Sequence, residues 1–323
     1  MPSHPPGSMS GVSGITRRAV LGSGLGGAAF MAAPHLEART GDPQALGYRG
    51  FNDRGTQAFL GIRYARAARF APPRREGLPK QATRATEFGP LCPQRNPMTP
   101  RMSEDCLFLN IWTPDAHPSA RRPVMVYFHG GAYNWGSVTD PLTQGPHLAA
   151  QADAVVVTVN HRLNLFGYGW LQPLGERFRH SGNAGQLDLI CALEWVRDHI
   201  GAFGGDPGRV MVFGQSGGGA KIATLMAMPA NGWQRTLALF ERLGLPEGKG
   251  AADALLALPF ERLVDALDAT DPILGGSLYF GPVLDMLHLH RHPFWPDAAP
   301  QSLAIPMILG NTRDETRAFI RAN

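Results

Sequence analysis

The segment from Val210 to Gly219 carries an apolar run directly into the pentapeptide GQSGG at residues 214–218. A predicted strand before this G-x-S-x-G pattern and a predicted helix after it are typical of a sharp turn that lifts a serine hydroxyl off the backbone. The residues two before and two after Ser216 must then be small, which explains Gly214 and Gly218. The pentapeptide alone also fits an ordinary Gly-Ser loop, so its neighbours decide its meaning.

Other apolar runs predict a sheet around this turn. Residues 124–128, 154–159, 210–213 and 306–309 are predicted strands, and residues 185–200 predict a helix that is apolar along two rows. Continuous apolar strands suit a parallel sheet that is buried on both faces. The sequence therefore predicts an α/β fold with a mainly parallel central sheet.

Composition limits the classes of function. The 323 residues are 44% hydrophobic and 17% charged, as expected for a globular protein. The net charge of +4 comes with scattered arginines, so no nucleic-acid partner is predicted. No run reaches transmembrane length, and no cysteine–histidine spacing predicts a metal site. No cofactor is expected.

The N-terminus predicts a separate segment. Residues 16–21, Thr-Arg-Arg-Ala-Val-Leu, precede a mildly apolar run of small residues that ends at Ala33. This pattern resembles a twin-arginine export signal, with cleavage after Ala33 or Ala38; the alternative is a disordered tail. We expect residues 1–38 to be the signal, residues 39–323 to be the folded domain, and the protein to be periplasmic or secreted.

A glycine-containing loop precedes the serine turn. Residues 129–133, with the sequence HGGAY, follow directly after the predicted strand that ends at Phe128. Consecutive small residues leave backbone N–H groups uncovered, so these groups can converge on an anion. The alternative is a tight turn that needs its glycines for shape only. Together with the serine turn, the loop favours an oxyanion hole.

These motifs belong to a longer ordered set that resembles the type-B carboxylesterases, the group of carboxylesterases and cholinesterases on the α/β-hydrolase fold. The segments that carry the resemblance are 59–65 (FLGIRYA), 69–73 (RFAPP), 103–110 (SEDCLFLN), 129–133, 160–164 (NHRLN), 182–185 (GNAG), 203–207 (FGGDP), 214–218 and 311–315 (NTRDE). The resemblance implies a serine carboxylic-ester hydrolase that acts on small-molecule esters through an acyl-enzyme.

The resemblance also implies roles for particular residues. Ser216 would be the nucleophile and Glu315 the triad acid, with Asp314 its neighbour. The N–H groups of Gly131, Ala132 and Gly217 would form the oxyanion hole. Two structural ion pairs are implied, Arg69 with Glu104 and Arg162 with Asp188, together with a disulfide between Cys92 and Cys106.

The sequence departs from the family at two places. The family order is serine, acid and then histidine, yet none of the eight residues after Glu315 is a histidine. A helical pattern at residues 234–243 also stands where the family continues with a strand. We therefore expect a C-terminally truncated domain that lacks a core strand. The alternative function is a catalytically impaired or dead hydrolase fold, possibly a binding protein.

Three questions stay open at the level of sequence. Tyr133, Trp135 and Phe166 fit either an ester-binding gorge or the core. The histidines at 288, 290 and 292 favour a surface loop over a metal site. The sequence does not indicate the acyl-chain preference, the physiological ester or the oligomeric state.

Overall fold

The computed structural model describes residues 42–95, 101–226, 233–245, 249–272, 277–282, 305–308 and 310. The strands are β1 (Gln44–Ala45), β2 (Tyr48–Arg49), β3 (Phe51–Asp53), β4 (Thr56–Arg63), β5 (Ala65–Arg66), β6 (Arg74–Arg75), β7 (Thr83–Arg84), β8 (Phe108–Thr113), β9 (Arg122–Phe128), β10 (Val155–Val159) and β11 (Gly205–Gly214). The helices are α1 (Pro146–Ala152), α2 (Asn164–Tyr168), α3 (Ala184–His199), α4 (Gly217–Met226), α5 (Trp233–Leu243), α6 (Lys249–Ala257) and α7 (Phe260–Ala266).

A six-stranded mixed sheet organises the fold, in the order β11-β9-β10-β8-β4-β3. Strands β11, β9 and β10 run parallel to one another, whereas β8, β4 and β3 join them through antiparallel pairs. The predicted parallel pairing therefore holds for the strands that lead into the loop at 129–133 and the serine turn. The carboxyl ends of β9 and β11 lie side by side, because Phe128 pairs with Gly214.

The apolar runs form the strands, but the expected burial on both faces of the sheet holds for β10 and not for β9 or β11. All five residues of β10 are buried, whereas β9 buries alternate side chains, namely Val124, Val126 and Phe128. Helix α3 packs its apolar rows on the sheet through Leu189, Trp195 and other buried residues. The predicted helix at 185–200 and the predicted strands at 124–128, 154–159 and 210–213 are thus confirmed, with β11 longer than expected.

The predicted strand at 306–309 is not found. Residues 306–308 form no ladder, and Ile308 is 99% exposed. A strand exists only where a neighbouring strand pairs with it, and an apolar pattern cannot supply that partner. Residue 309 lies outside the described residues.

The segment after α4 is helical, as predicted from residues 234–243. Helices α5, α6 and α7 follow in sequence, and the described residues from 233 to 272 contain no strand longer than a single bridge residue at Thr270. The proposed signal segment, residues 1–38, lies outside the described residues. In the described part of the chain, no helix combines the length and apolar character that a membrane crossing requires.

Candidate active site

Ser216 sits on a tight elbow between β11 and α4. Its φ of +54° lies in the left-handed region, which a non-glycine residue adopts at an energetic cost. The side chain is exposed, and the backbone carbonyl of Ser216 accepts from the Ala220 N–H at 3.1 Å as α4 begins. The elbow therefore places an exposed serine at the carboxyl edge of the sheet.

The two outer glycines of the motif lie against backbone atoms. A Cβ at Gly214 would lie 2.6 Å from the Gly218 carbonyl carbon, and a Cβ at Gly218 would lie 2.1 Å from the Phe128 carbonyl oxygen. Neither position can hold a larger residue unless the backbone moves. The structure thus supplies the steric reason for the spacing that the sequence shows.

The loop after β9 lies directly beside this elbow. Gly131 and Ala132 both have left-handed backbones, with φ of +83° and +52°. A Cβ at Gly217 would lie 2.3 Å from the Ala132 nitrogen, and a Cβ at Gly130 would lie 3.7 Å from the Ser216 Cβ. The structure therefore brings together the loop and the serine that the sequence places more than eighty residues apart.

The three predicted oxyanion donors are close together and unengaged. Among the described residues, the N–H groups of Gly131, Ala132 and Gly217 have no hydrogen-bond acceptor. The loop is instead closed by the Gly131 carbonyl, which accepts from Asn134 and Trp135, each at 3.2 Å. Backbone donors that a fold leaves unpaired beside a nucleophile are suited to a negatively charged oxygen.

A buried lysine and two buried histidines lie at the start of this loop. Lys221 on α4 is fully buried, and its Nζ donates to the His129 carbonyl oxygen at 2.8 Å. Burial lowers the pKa of its ammonium group to about 7. The rings of His129 and His161 lie in tilted contact, with centroids 4.7 Å apart and planes inclined by 37°. Burial, and next the charge of Lys221, lower the pKa of both imidazoles well below the usual range.

Sequence reasoning missed Lys221. Its position in the sequence could have revealed it. Lys221 is the only charged residue of α4, a helix otherwise made of glycine, apolar residues and one threonine. A lysine within such a helix contradicts the rule that lysine side chains remain at the surface.

Both implied ion pairs are present. The Arg69 Nε lies 2.8 Å from Glu104 Oε2, and its Nη1 also donates to the Leu258 carbonyl at 2.7 Å. Arg162 binds Asp188 through two parallel contacts, Nε to Oδ2 at 2.9 Å and Nη2 to Oδ1 at 2.7 Å. The second pair is buried, so it fixes the loop after β10 onto α3.

The three cysteines are buried thiols in the structure. A hydrogen bond from Cys92, followed by burial, raises the pKa of the Cys106 thiol well above its usual range. The two side chains are therefore neighbours, and their disulfide pairing stays a prediction. Burial raises the pKa of Cys191 to about 11, as expected of an unreactive thiol.

Other predicted residues are in the core or outside the described part. Tyr133 and Phe166 are buried, and the Tyr133 hydroxyl lies 2.6 Å from the Thr224 Oγ1, whereas Trp135 is 55% exposed. The predicted acid Glu315, its neighbour Asp314 and the histidines at 288, 290 and 292 lie outside the described residues. Within the described ranges, no group of three or more His, Cys, Asp or Glu side chains could hold a metal ion.

Comparison with known proteins gives consistent matches. The model of the carboxylesterase family matches residues 33–243. A para-nitrobenzyl esterase of Bacillus subtilis is 37% identical over 308 residues, which cover 84% of this chain and 62% of that protein. A probable N-octanoylanthranilate hydrolase of Rhodococcus erythropolis is 39% identical over 309 residues, covering 84% of this chain and 66% of that protein.

A solved structure gives the same result for the fold. The structure of a PNB esterase superposes with a TM-score of 0.76 at 36% identity, covering 85% of this chain and 63% of that one. The likeness thus extends over most of this chain, whereas the chain spans less than two thirds of the length of these relatives.

Proposed function

The chain belongs to the carboxylesterase family, and we propose from this membership that it hydrolyses small carboxylic esters through an acyl-enzyme on Ser216. One observation carries the proposal. An exposed serine on a left-handed elbow lies against a loop whose N–H groups are unengaged in the described structure. This is the geometry that acyl transfer needs, namely a nucleophile with anion donors within reach.

In the proposed reaction the Ser216 oxygen attacks the ester carbonyl, and the carbonyl oxygen becomes an oxyanion. The N–H groups of Gly131, Ala132 and Gly217 would hold this oxyanion, and one such donor is typically worth about 3–4 kcal/mol of barrier. Collapse of the intermediate expels the alcohol and leaves an acyl-serine. Water then attacks the acyl-serine, through a second oxyanion, and releases the acid.

The reaction also needs a base to take the serine proton, because serine is a weak nucleophile at its own pKa. In the described part of the chain, Ser216 Oγ has no hydrogen bond to a histidine. His129 and His161 are fully buried, and their lowered pKa values do not suit a group that exchanges protons with a substrate. We propose Glu315 as the acid that would orient a base, following the family order.

We propose two further properties. The residues up to Ala38 would direct the protein out of the cytoplasm through the twin-arginine route. In an oxidising compartment the neighbouring thiols of Cys92 and Cys106 would form a disulfide. A count of free thiols in protein recovered from the periplasm, compared with a Cys106→Ser variant, tests both proposals.

A fluorophosphonate probe tests the proposed nucleophile, since it bonds to the serine oxygen and its phosphoryl oxygen uses the same donors as an ester. We expect slow labelling of the 323-residue chain at Ser216, identified by peptide mass, and none in a Ser216→Ala variant. Labelling that persists in the variant at another serine would contradict the assignment. A chain that never labels would favour the alternative, a binding protein on a hydrolase fold.

Turnover of a nitrophenyl ester tests the complete reaction. Because no histidine of the described residues hydrogen-bonds to the Ser216 hydroxyl, we expect the 323-residue chain to hydrolyse the ester several orders of magnitude more slowly than an enzyme with a full triad. Rapid hydrolysis that disappears with Ser216→Ala would show that another group serves as the base.

A further inference from the structure

Lys221 is a buried charged residue to which neither the family resemblance nor the proposed reaction gives a role. It lies on α4, five residues after the nucleophile, and its side chain is completely buried. Its Nζ reaches back to the start of the helix and donates to the His129 carbonyl at 2.8 Å. No described acidic side chain forms an ion pair with it.

Burying an amine without a counter-ion is costly, so its retention calls for a structural or functional reason. The titratable groups that face it are His129, from the loop after β9, and His161, from the loop after β10, and both are themselves buried. From α3, the Gln186 amide binds the Lys221 backbone carbonyl at 3.3 Å rather than the amine. The one hydrogen bond that the structure gives to the amine is thus the bond to the His129 carbonyl.

The hydrogen bonds of the His129 and Gly130 carbonyls fix the direction of the loop. In a trans peptide the N–H points opposite to the C=O of the same unit. The His129 carbonyl is held by Lys221, and the Gly130 carbonyl oxygen lies 2.8 Å from the His129 Nδ1. With the Gly130 carbonyl held toward the ring of His129, the N–H of Gly131 is directed to the opposite side.

We propose that Lys221 is a positioning residue of the oxyanion hole: it holds the His129 carbonyl and thereby anchors the residue whose ring holds the Gly130 carbonyl and so directs the Gly131 donor. This inference rests on the proposed function. Lys221 makes no hydrogen bond to Ser216, so its effect passes through the loop and not through proton transfer. Removing the amine, as in Lys221→Met, should leave the His129 carbonyl unpaired and let its peptide unit rotate.

The contact can be observed in the unaltered chain. His129-Gly130 is the only His-Gly pair in the sequence, so carbonyl-¹³C histidine with ¹⁵N glycine gives a single carbonyl–amide NMR correlation. We expect this correlation to move with pH with a midpoint near 7, as the amine that binds the carbonyl loses its proton. We expect that movement to vanish in Lys221→Met, which retains both histidines.

The function of the contact is tested by the rate of fluorophosphonate labelling at Ser216. We expect Lys221→Met to react at least tenfold more slowly than the unaltered chain, because the phosphoryl oxygen must use the same donors as an ester. Lys80→Met is the matched control, since Lys80 is an exposed lysine of the loop before β7, and it should label at the unaltered rate.

Two results would overturn the positioning role. One is a His129-Gly130 correlation that lies at the same position at pH 6 in the unaltered chain and in a folded Lys221→Met or Lys221→Leu variant. The other is equal labelling of the unaltered chain and Lys221→Met. An unaltered chain that never reacts would instead overturn the proposed function, and the positioning role with it, even if the correlation titrates.

Discussion

At the residue scale, Gly218 shows how little room the elbow leaves. A Cβ at Gly218 would lie 2.1 Å from the Phe128 carbonyl oxygen, and neither atom can move unless its backbone moves. We expect Gly218→Ala to lower the free energy of unfolding by about 1–3 kcal/mol, the usual cost of overpacking, and to slow labelling of Ser216. Urea denaturation followed by tryptophan fluorescence measures the change.

The neighbouring glycine supplies the control. A Cβ at Gly219 would meet only the Gly214 carbonyl oxygen at 3.5 Å, an ordinary contact, and Gly219 lies within α4. Because alanine is the better helix former, Gly219→Ala should be neutral or should raise stability by about 0.5–1 kcal/mol. Equal destabilisation by both substitutions would contradict the steric account.

The buried amine of Lys221 makes the free energy of unfolding depend on pH. Burial lowers the pKa of the amine from 10.5 to about 7 in the folded chain, so between these values the unfolded chain binds a proton that the folded chain has released. Stability attributable to this group is therefore fully present above pH 10.5 and is lost as the pH falls to 7. Its greatest slope is about 1.4 kcal/mol per pH unit.

We expect Lys221→Met to flatten the rise of unfolding free energy between pH 7 and pH 9. Urea midpoints at each pH give the slope, and the slope is the diagnostic quantity because the substitution also removes a hydrogen bond. Lys80→Met, at an exposed site, should keep the slope of the unaltered chain. Parallel curves for all three proteins would show that the buried amine does not titrate in this range.

At the element scale, the buried pair of Arg162 and Asp188 joins the loop after β10 to α3. Arg162 also donates to the Ala71 carbonyl at 2.7 Å, so one guanidinium connects three segments of the chain. Removing one partner of a buried pair leaves the other charge uncompensated. We expect Asp188→Asn to cost about 3–5 kcal/mol of unfolding free energy, measured by urea denaturation.

An exposed pair provides the comparison. Arg177 and Asp253 are 2.7 Å apart, yet their side chains are 52% and 76% exposed, so solvent screens the attraction. Asp253→Asn should change stability by less than about 1 kcal/mol. A cost at Asp188 no larger than the cost at Asp253 would mean that burial adds nothing to the pair.

The elements that the sequence predicts are those whose signal is local. The strand at 124–128 and the helix at 185–200 follow from apolar periodicity, and the elbow follows from glycines whose spacing has a steric cause. Residues 306–308 have the same apolar character without forming a strand, because pairing depends on a neighbour that the local pattern does not encode. Lys221 was missed for a related reason, since its partner is a backbone carbonyl 92 residues away.

At the scale of the whole molecule, the sheet ends at β11, whose only strand neighbour in the described structure is β9. Met211 and Val210 on this strand are 48% and 38% exposed, although their sequence is that of a buried strand. A long apolar edge strand offers unpaired N–H and C=O groups to other chains. We therefore expect the chain to self-associate with increasing protein concentration.

A charged residue on β11 should reduce this self-association, since lysine on edge strands disfavours strand addition. We expect Met211→Lys to lower the rate of aggregation at a fixed concentration, followed by light scattering at physiological ionic strength. Leu78→Lys is the control, because Leu78 is 39% exposed yet lies outside the strands. If both substitutions lower scattering equally, then added charge rather than the edge of β11 governs association, and β11 is not the surface through which the chains meet.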